Sequence, residues 1–390
     1  MHRTLITRTV WILSFVSLFT DIASEMLYPV MPVYLKSIGF SALFIGILEG
    51  FAEATAGFSK GYFGNLSDRS RKRIPFIRAG YFLSSVSKPM LAAFTIPLWV
   101  FLSRALDRLG KGIRTSARDA ILSSESTAET KGRVFGLHRA MDTAGAMIGP
   151  AFALIFLIFF PDNFKSLFLI AFIPGIFAIS LTFLMKEKVL NIEPNIKGTR
   201  FFSFLSYWKI ASPDYRKLVI GLLLFSLINS SDIFLLLMIK QIGYSNTEVI
   251  SAYIFYNFIY AIASYPVGII ADRLGLKNIF ISGLFIFALV YGGMAFQPSL
   301  PVIFILFLFY GIYASATESV SKAWISNIAE KNDTATAIGF YTGLSSLFTL
   351  LASIIAGWLW SSFFPSLTFI VSAASSVLIA FYLKIIFHKR

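Results

Sequence analysis

The chain has 390 residues, of which 56% are hydrophobic, and its formal net charge at pH 7 is +14. Soluble domains average about 45–50% apolar residues, so this composition predicts an integral membrane protein. The sequence has no cysteine, which excludes disulfides and thiolate metal sites, and its 3 histidines are too scattered to suggest a metal site. The lysines and arginines fall in short loops between apolar runs, which indicates membrane topology rather than nucleic-acid binding.

A membrane-spanning helix needs about 20 mostly apolar residues. The first apolar run continues through Asp21 and Glu25 without a small-residue cleavage site, so we expect a span there and not a signal peptide. The basic loops fall on one side of the membrane, which predicts that both termini are cytoplasmic. The predicted spans are residues 9–35, 42–63, 74–95, 97–116, 132–158, 166–185, 217–239, 247–270, 278–296, 301–322, 335–359 and 366–387.

A polar and basic stretch, residues 186–216, divides the spans into two sets of six. It predicts a cytoplasmic linker between an N-terminal bundle, residues 1–185, and a C-terminal bundle, residues 217–390. The aromatic residues of the linker favour an amphipathic segment on the membrane surface, and a flexible linker is the alternative. These aromatic residues are Phe201, Phe202, Phe204, Tyr207 and Trp208.

A short basic turn after the second span has the pattern GxxxDR, and the same pattern recurs after the eighth span. The two copies resemble the loop signature between the second and third helices of each half of the major facilitator superfamily. The resemblance implies an all-α fold of twelve transmembrane helices in two halves with pseudo-two-fold symmetry, and a substrate site near the midplane between the halves. It assigns gating to Gly64, Asp68, Arg69, Gly268, Asp272 and Arg273.

Two further patterns lie in the fourth and fifth spans. Arg108 and Gly112 resemble the family's fourth-helix pattern RxxxG, whose arginine is associated with proton coupling. The fifth span has glycines and a proline at spacings similar to a motif of the family's antiporters, with Ala153 and Leu154 in place of the usual closing glycine pair. The same glycines, Gly136, Gly145 and Gly149, also suit close helix packing.

Ionisable residues inside a membrane are costly and indicate function by default. Carboxylates four residues apart share one helix face, and a nearby arginine can adjust their proton affinity. We therefore expect proton coupling by Asp21, Glu25, Glu49, Glu53 and Asp142.

The fourth and fifth spans also carry cations that can donate charge-assisted hydrogen bonds to a carboxylate or phosphate. The eighth and tenth spans carry stripes of tyrosine and asparagine on the faces expected to line the cavity. The predicted substrate-binding residues are Arg104, Arg108, Lys111, Arg139, Tyr256, Asn257, Tyr310 and Tyr313.

These features predict a secondary active transporter, driven by protons, that moves a small organic anion by alternating access. A citrate-like metal chelate or siderophore is one candidate. The alternatives are efflux of cationic or amphipathic drugs and a membrane receptor that does not transport. No phosphate-binding loop is present, and we expect no enzymatic activity, no cofactor and no metal site. We expect a monomer in a bacterial inner membrane, with the substrate, protons and the lipid bilayer as its partners.

Overall fold

The computed structural model describes residues 6–28, 30–40, 42–187 and 202–387. Within these residues the chain forms helices and turns and no strand. The α-helices are α1 (Arg8–Glu25), α2 (Met31–Ser37), α3 (Ala42–Ser70), α4 (Ile74–Ala93), α5 (Pro97–Ser124), α6 (Lys131–Phe159), α7 (Phe164–Thr182), α8 (Tyr207–Ile210), α9 (Pro213–Ile228), α10 (Ile233–Ile242), α11 (Asn246–Leu274), α12 (Leu276–Ala295), α13 (Leu300–Ile328), α14 (Thr334–Ser362) and α15 (Pro365–Ile386).

Twelve membrane-spanning segments follow from these helices. Eight of them, from α6 onward, are long and apolar enough to cross a membrane by length and composition alone. The other four are α1 with α2, α3, α4 and α5, which carry most of the charged residues of the first half. Large apolar side chains are exposed along many helices, with Leu98 76% and Phe296 86% exposed, as expected for surfaces that face lipid.

The first and seventh spans are each broken into two helices, whereas the sequence predicted one helix for each. In the first span, α1 ends at Glu25 and α2 begins at Met31. Pro29, between these two helices in the sequence, lies outside the described residues. In the seventh span, α9 ends at Ile228 and α10 begins at Ile233. Broken helices leave backbone groups without helical partners, which membrane proteins tolerate only where protein or water satisfies them.

The described contacts divide the chain into two compact units. The first unit is Met1–Glu125, Met141–Ile210 and Glu330–Gly343, and the second is Ser126–Ala140, Ala211–Ala329 and Leu344–Arg390. Each unit therefore includes the first turns of one helix from the opposite half of the sequence: α14 begins in the first unit and α6 begins in the second. The number of spans is as predicted, and no pattern in the sequence indicated this exchange.

Both units repeat one pattern of helix neighbours. In the first, α5 packs on α3 and α4, and α7 packs on α1 and α4. In the second, α13 packs on α11 and α12, and α15 packs on α9 and α12. Every pair in the second unit is the pair in the first with each helix number raised by eight. The duplication indicated by the two GxxxDR loops therefore extends to the packing of the helices.

Small residues bring some helices of the first unit into direct backbone contact. A Cβ atom on Gly80 of α4 would lie 2.6 Å from the carbonyl oxygen of Gly110 of α5, and the reverse substitution meets the same obstacle at Gly80. Gly145 and Gly149 of α6 lie equally close to the backbone of α1, next to Leu18 and Ile22. These contacts support the packing interpretation of the glycines in the fifth span.

Candidate functional site

A buried cluster of charges lies between α4 and α5 in the first unit. The Lys88 ammonium donates to Asp107 Oδ1 at 2.7 Å and to Ser24 Oγ at 3.0 Å. Lys88 is 2% exposed. Asp107 also lies 4.0 Å from Arg104 of its own helix and within the field of Arg108. Within the described residues, three cations therefore lie around the carboxylate of Asp107.

The three cations predicted on α5 differ in their exposure. Arg104 and Arg108 are buried, whereas Lys111 is exposed. The Lys111 ammonium forms no ion pair or hydrogen bond with the part of the chain that the structure describes. Gly112 lies directly against Ser59 of α3, which gives the glycine of the RxxxG pattern a packing role. This face of α5 thus combines two buried guanidinium groups with one accessible ammonium group.

A second group of polar residues joins α1, α5 and α6 in the first unit. The Ser17 hydroxyl donates to Asp142 Oδ1 and accepts a hydrogen bond from Arg118 at 3.4 Å. The carboxyl groups of Asp21 and Asp142 are within hydrogen-bonding range of each other, and Lys111 and Glu25 are near enough to act on Asp21 through their charges. Two predicted coupling residues are therefore brought together.

The remaining coupling candidates are placed less completely. Glu25, at the end of α1, makes no hydrogen bond or ion pair with the described residues. Glu49 and Glu53 belong to α3, but their side chains lie outside the described part of the chain. The structure therefore places Asp21 and Asp142 in contact, leaves Glu25 accessible and gives no position for the other two carboxylates.

In the second unit the fourth predicted cation, Arg139 of α6, is held by other side chains. Its guanidinium forms an ion pair with Glu318 of α13 and donates to the Tyr260 hydroxyl of α11. The Tyr260 ring also lies under the guanidinium, with its centroid 5.0 Å away. Arg139 thus ties α6, α11 and α13 together, and a substrate would have to share it with Glu318.

The predicted tyrosines of the second unit form one aromatic cluster. The Tyr256 ring lies 4.8 Å from that of Tyr310, which lies 5.2 Å from that of Tyr313. The Tyr310 hydroxyl donates to Asp232 Oδ1 at 2.6 Å. Asn257 donates instead to the carbonyl of Tyr253 in its own helix, at 3.0 Å. Three of the four predicted polar residues of the second half therefore meet around a carboxylate.

The two GxxxDR loops make equivalent contacts with helix N-termini from the opposite half of the sequence. Asp68 accepts hydrogen bonds from the backbone N–H and hydroxyl of Thr336, at the start of α14. Asp272 accepts from the backbone N–H groups of Gly132 and Arg133, at the start of α6, at 2.6 and 3.0 Å. The first N–H groups of a helix have no helical partner and carry positive partial charge, so a carboxylate is well suited to this position.

The glycines of the loops permit these contacts. A Cβ atom on Gly64 would lie 2.6 Å from the carbonyl oxygen of Ala335, and Gly268 lies equally tightly against the backbone of Gly132. Among the arginines, Arg69 is partly buried and Arg273 is exposed. The ion pairs of the two aspartates are made by other arginines, Arg73 with Asp68 and Arg133 with Asp272.

Asp68 lies beyond the predicted span of α3, at residues 42–63, and is 3% exposed. Burial raises the pKa of Asp68 from its usual value of 3.8 to about 6, against the opposing effects of Arg73 and the hydrogen bonds from Thr336. The contact with α14 is therefore formed by a carboxyl group that titrates close to neutral pH.

Part of the linker covers the same end of the first unit. Residues 203–210 form a 3-10 turn, Ser203–Ser206, followed by α8. The Phe204 ring lies against Gly61 of α3, and Trp208 stacks on Phe340 of α14 with ring centroids 5.8 Å apart. Residues 203–210 therefore pack against α3 and α14, and Phe201 lies outside the described residues.

Sequence reasoning missed Lys88, Thr336 and Gly132. Lys88 gave a signal, because a lysine inside an apolar run is costly unless it has a partner. Thr336 and Gly132 gave none, because the aspartates accept from backbone N–H groups at the starts of helices that are distant in the sequence, to which Thr336 adds its hydroxyl group.

The repeated six-helix pattern, the broken first and seventh spans and the buried charges define a helical membrane transporter. The family model of the Major Facilitator Superfamily matches residues 13–257 and 218–390. The chain is 32% identical over 379 residues to an uncharacterised MFS-type transporter of Methanocaldococcus jannaschii, which covers 96% of this chain and 93% of the relative. The chain belongs to the Major Facilitator Superfamily, a family of transporters and not of enzymes.

More distant relatives have assigned substrates. A staphyloferrin B transporter of Staphylococcus aureus is 28% identical over 201 residues, which is 49% of this chain and 47% of the relative. The quinolone resistance protein NorA of the same species is 27% identical over 125 residues, 32% of each chain. The crystal structure of the human organic anion transporter MFSD10 (TETRAN) has a TM-score of 0.81, with 15% identity over 96% of this chain and 99% of that one. This last likeness shows the fold alone.

Proposed function

We propose that this protein is a proton-coupled secondary transporter of a small organic anion that works by alternating access. The observation that supports the substrate class is the group of cations around Asp107 in the first unit. Lys88, Arg104 and Arg108 surround the single carboxylate of Asp107. Lys111, one turn further along α5, is exposed and forms no ion pair within the described chain. An anion is the ligand that such a cluster attracts.

The same cluster directs the choice of anion. Guanidinium groups bind the planar carboxylate group with two parallel hydrogen bonds, and the ammonium of Lys111 adds a point charge. Several cations within one cluster favour a substrate with more than one negative charge, such as a polycarboxylate or a citrate-like metal chelate. The partial match to a staphyloferrin B transporter supports including that compound among the first probes.

Thermal denaturation of the purified protein tests this substrate class, because a ligand that binds the folded state raises the midpoint by mass action. We expect citrate, phosphorylated compounds or staphyloferrin B to raise the midpoint, and Arg108→Gln to remove the shift. Arg8→Gln is the matched control, because Arg8 is exposed at the start of α1. A shift produced by a quinolone and by none of the anions would instead support drug efflux, the function suggested by the NorA match.

Alternating access is supported by the equivalent contacts of Asp68 and Asp272 with helices of the opposite half. Each contact joins a loop to a helix N-terminus through hydrogen bonds that water could replace. Counterflow of substrate in proteoliposomes tests whether the protein transports. Specific binding without counterflow would support the receptor alternative.

We further propose that the protein lies in a bacterial inner membrane with both termini in the cytoplasm, because the basic loops lie on one side. The chain contains no cysteine, so single cysteines can report topology. A cysteine at Lys72 should react with an impermeant thiol reagent only after the cells are opened, and one at Lys165 should react in intact cells. The reverse result would overturn the orientation.

A further inference from the structure

At the break in the seventh span, hydroxyl groups from neighbouring helices form hydrogen bonds with the backbone. The Ser231 backbone N–H donates to Ser353 Oγ of α14 at 3.1 Å, and Ser372 of α15 donates to the Ile228 carbonyl at 3.1 Å. These hydrogen bonds satisfy backbone groups that the interrupted helix leaves without partners. The four residues from Asn229 to Asp232 therefore form a defined non-helical segment inside an apolar span, Pro213–Ile242.

Asp232 places a negative charge in this segment without a cation beside it. The Tyr310 hydroxyl donates to it, and no residue in the described parts of the chain forms an ion pair with it. Arg139 and Glu318 act on it from further away with opposite signs, and Tyr256 adds a hydroxyl group nearby. A carboxylate in a membrane span is costly unless it is neutralised or faces water.

Three other oxygen atoms of the same region lack partners. The Ser230 hydroxyl, the Tyr291 hydroxyl and Asn229 Oδ1 are buried and have no hydrogen-bond partner of normal geometry among the described residues. Ser230 is 3% exposed and Tyr291 is 0% exposed. The Tyr291 hydroxyl faces those of Ser230 and Tyr310, and the latter donates to Asp232. The oxygens of Ser230, Tyr291, Tyr310 and Asp232 thus follow one another around the break.

Buried oxygen atoms without partners cost free energy. A proton on Asp232 would neutralise its charge but would leave the acceptor Asn229 Oδ1 and the hydroxyl of Ser230 unsatisfied. A small metal cation would neutralise the carboxylate and bind the neutral oxygens at the same time, since hard cations take oxygen ligands in number. The last carbonyls of α9 add negative partial charge at this point, as at the ion sites of other broken transmembrane helices.

We propose that the break between α9 and α10 is a binding site for a monovalent metal cation, of the size of sodium, held by Asp232 with Ser230, Tyr291 and Asn229. One carboxylate matches one positive charge, and hydroxyl and amide oxygens provide the remaining ligands. The inference rests on the proposed function as a transporter, because it adds a second coupling ion to the proton. The cation would bind to the second unit, apart from the carboxylates of the first.

Thermal denaturation of the purified full-length protein tests this site without any knowledge of the substrate. The probes are sodium chloride and choline chloride at equal ionic strength, at several pH values. We expect sodium to raise the midpoint by about 2–4 °C at concentrations well above its dissociation constant, and choline to have no such effect. Asp232→Asn should remove the sodium-dependent shift, and Tyr291→Phe and Ser230→Ala should each weaken it.

Asp162→Asn, a change at an exposed loop carboxylate, is the matched control and should keep the full shift. If the Asp232 variant does not fold, Tyr291→Phe and Ser230→Ala still decide the question, because each removes only a hydroxyl group. Equal midpoints in sodium and choline would overturn the proposal, even if the midpoint changes with pH, since that result describes a proton site. A sodium shift that all three site variants retain would also overturn it.

Failure of this proposal is distinguishable from failure of the proposed function. Absence of substrate counterflow under every condition would overturn the proposed transport function, whatever effect sodium has on the midpoint. Counterflow without a sodium-specific shift of the midpoint would support the proposed transport function and overturn the proposed cation site.

Discussion

Asp68 and Thr336 lie 268 residues apart in sequence, and the carboxylate of the first accepts both the backbone N–H and the hydroxyl of the second, at 2.7 and 2.9 Å. This contact joins the C-terminal end of α3 to the start of α14. Asp272 makes the corresponding contact with the start of α6. In a transporter that alternates access, both contacts must open once in each cycle, so their strength should set rates more than affinities.

The first prediction therefore concerns Asp68→Asn and Asp272→Asn. Each substitution turns one accepting carboxylate oxygen into an NH2 group that faces a hydrogen-bond donor. The contact therefore loses at least one hydrogen bond, worth about 0.5–1.5 kcal/mol. We expect turnover in proteoliposomes to fall several-fold while the dissociation constant of the substrate stays within about twofold. Asp162→Asn is the control. Unchanged turnover with lost affinity would contradict the gating role.

The second prediction is a pH dependence of the same contact. The pKa of Asp68 is about 6 when it is buried and near 3.8 in its usual state, so the closed contact retains a proton that the exposed carboxyl group loses. This stabilisation is complete below about pH 4 and is lost as the pH rises through about 6. It amounts to roughly 3 kcal/mol at most. Acid should therefore favour the closed contact.

Spin labels on cysteines at Lys72 and Lys331, both exposed, should measure this effect, because the natural chain has no cysteine. The short-distance population should be larger at pH 5 than at pH 7.5. In the Asp68→Asn background it should not change between these values. A population that grows with rising pH would show that the sign is wrong.

The third prediction concerns the cations of α5. Arg108→Gln should abolish uptake of an anionic substrate while leaving the folded state intact, and Arg104→Gln should mainly weaken binding. Both arginines are buried near Asp107, so the loss of either reduces the positive charge available to the substrate. Uptake assays and thermal midpoints of the two variants, with Arg8→Gln as the control, measure the two effects separately. Uptake at the normal rate by both variants would contradict the proposal that the substrate is an anion.

The fourth prediction concerns stability. Asp107→Asn leaves Lys88 buried without its anion, and breaking a buried pair costs about 3–5 kcal/mol. Adding Lys88→Met to this variant should recover most of the loss, because the pair is then replaced by neutral groups. Lys165→Met, at an exposed position, should have no effect in the same denaturation measurement. A double variant no more stable than Asp107→Asn would show that the two side chains are not coupled.

The fifth prediction concerns proton coupling. Asp21 meets Asp142, and two carboxyl groups in contact are not readily ionised together. Asp21→Asn, and separately Glu25→Gln, should suppress accumulation driven by a pH gradient and spare substrate exchange at equal pH, which needs no net proton movement. Variants that still concentrate substrate with the normal pH dependence would leave these carboxylates a structural role only.

The sequence predicted those features that depend on side-chain type and spacing. The twelve spans and the family followed from apolar runs and from two copies of GxxxDR. The break at Asn229–Asp232 did not, because its hydrogen bonds come from Ser353 and Ser372, more than 100 residues away. The pairing of Lys88 with Asp107 was not predicted either, because the two residues lie on different helices, and the packing of α4 on α5 decides which side chains meet.

The contacts of the linker have a consequence for the energetics of opening. Phe204 is 1% exposed in a site formed by α3 and α14, and Trp208 stacks on Phe340 of α14. If α14 moves away from α3, these rings must either travel with one helix or be wetted, and wetting an aromatic side chain costs a few kcal/mol. These contacts therefore oppose a separation of α14 from α3. Substitution of Phe204 or Trp208, which contact none of the proposed substrate or ion ligands, should therefore change how readily α14 separates from α3.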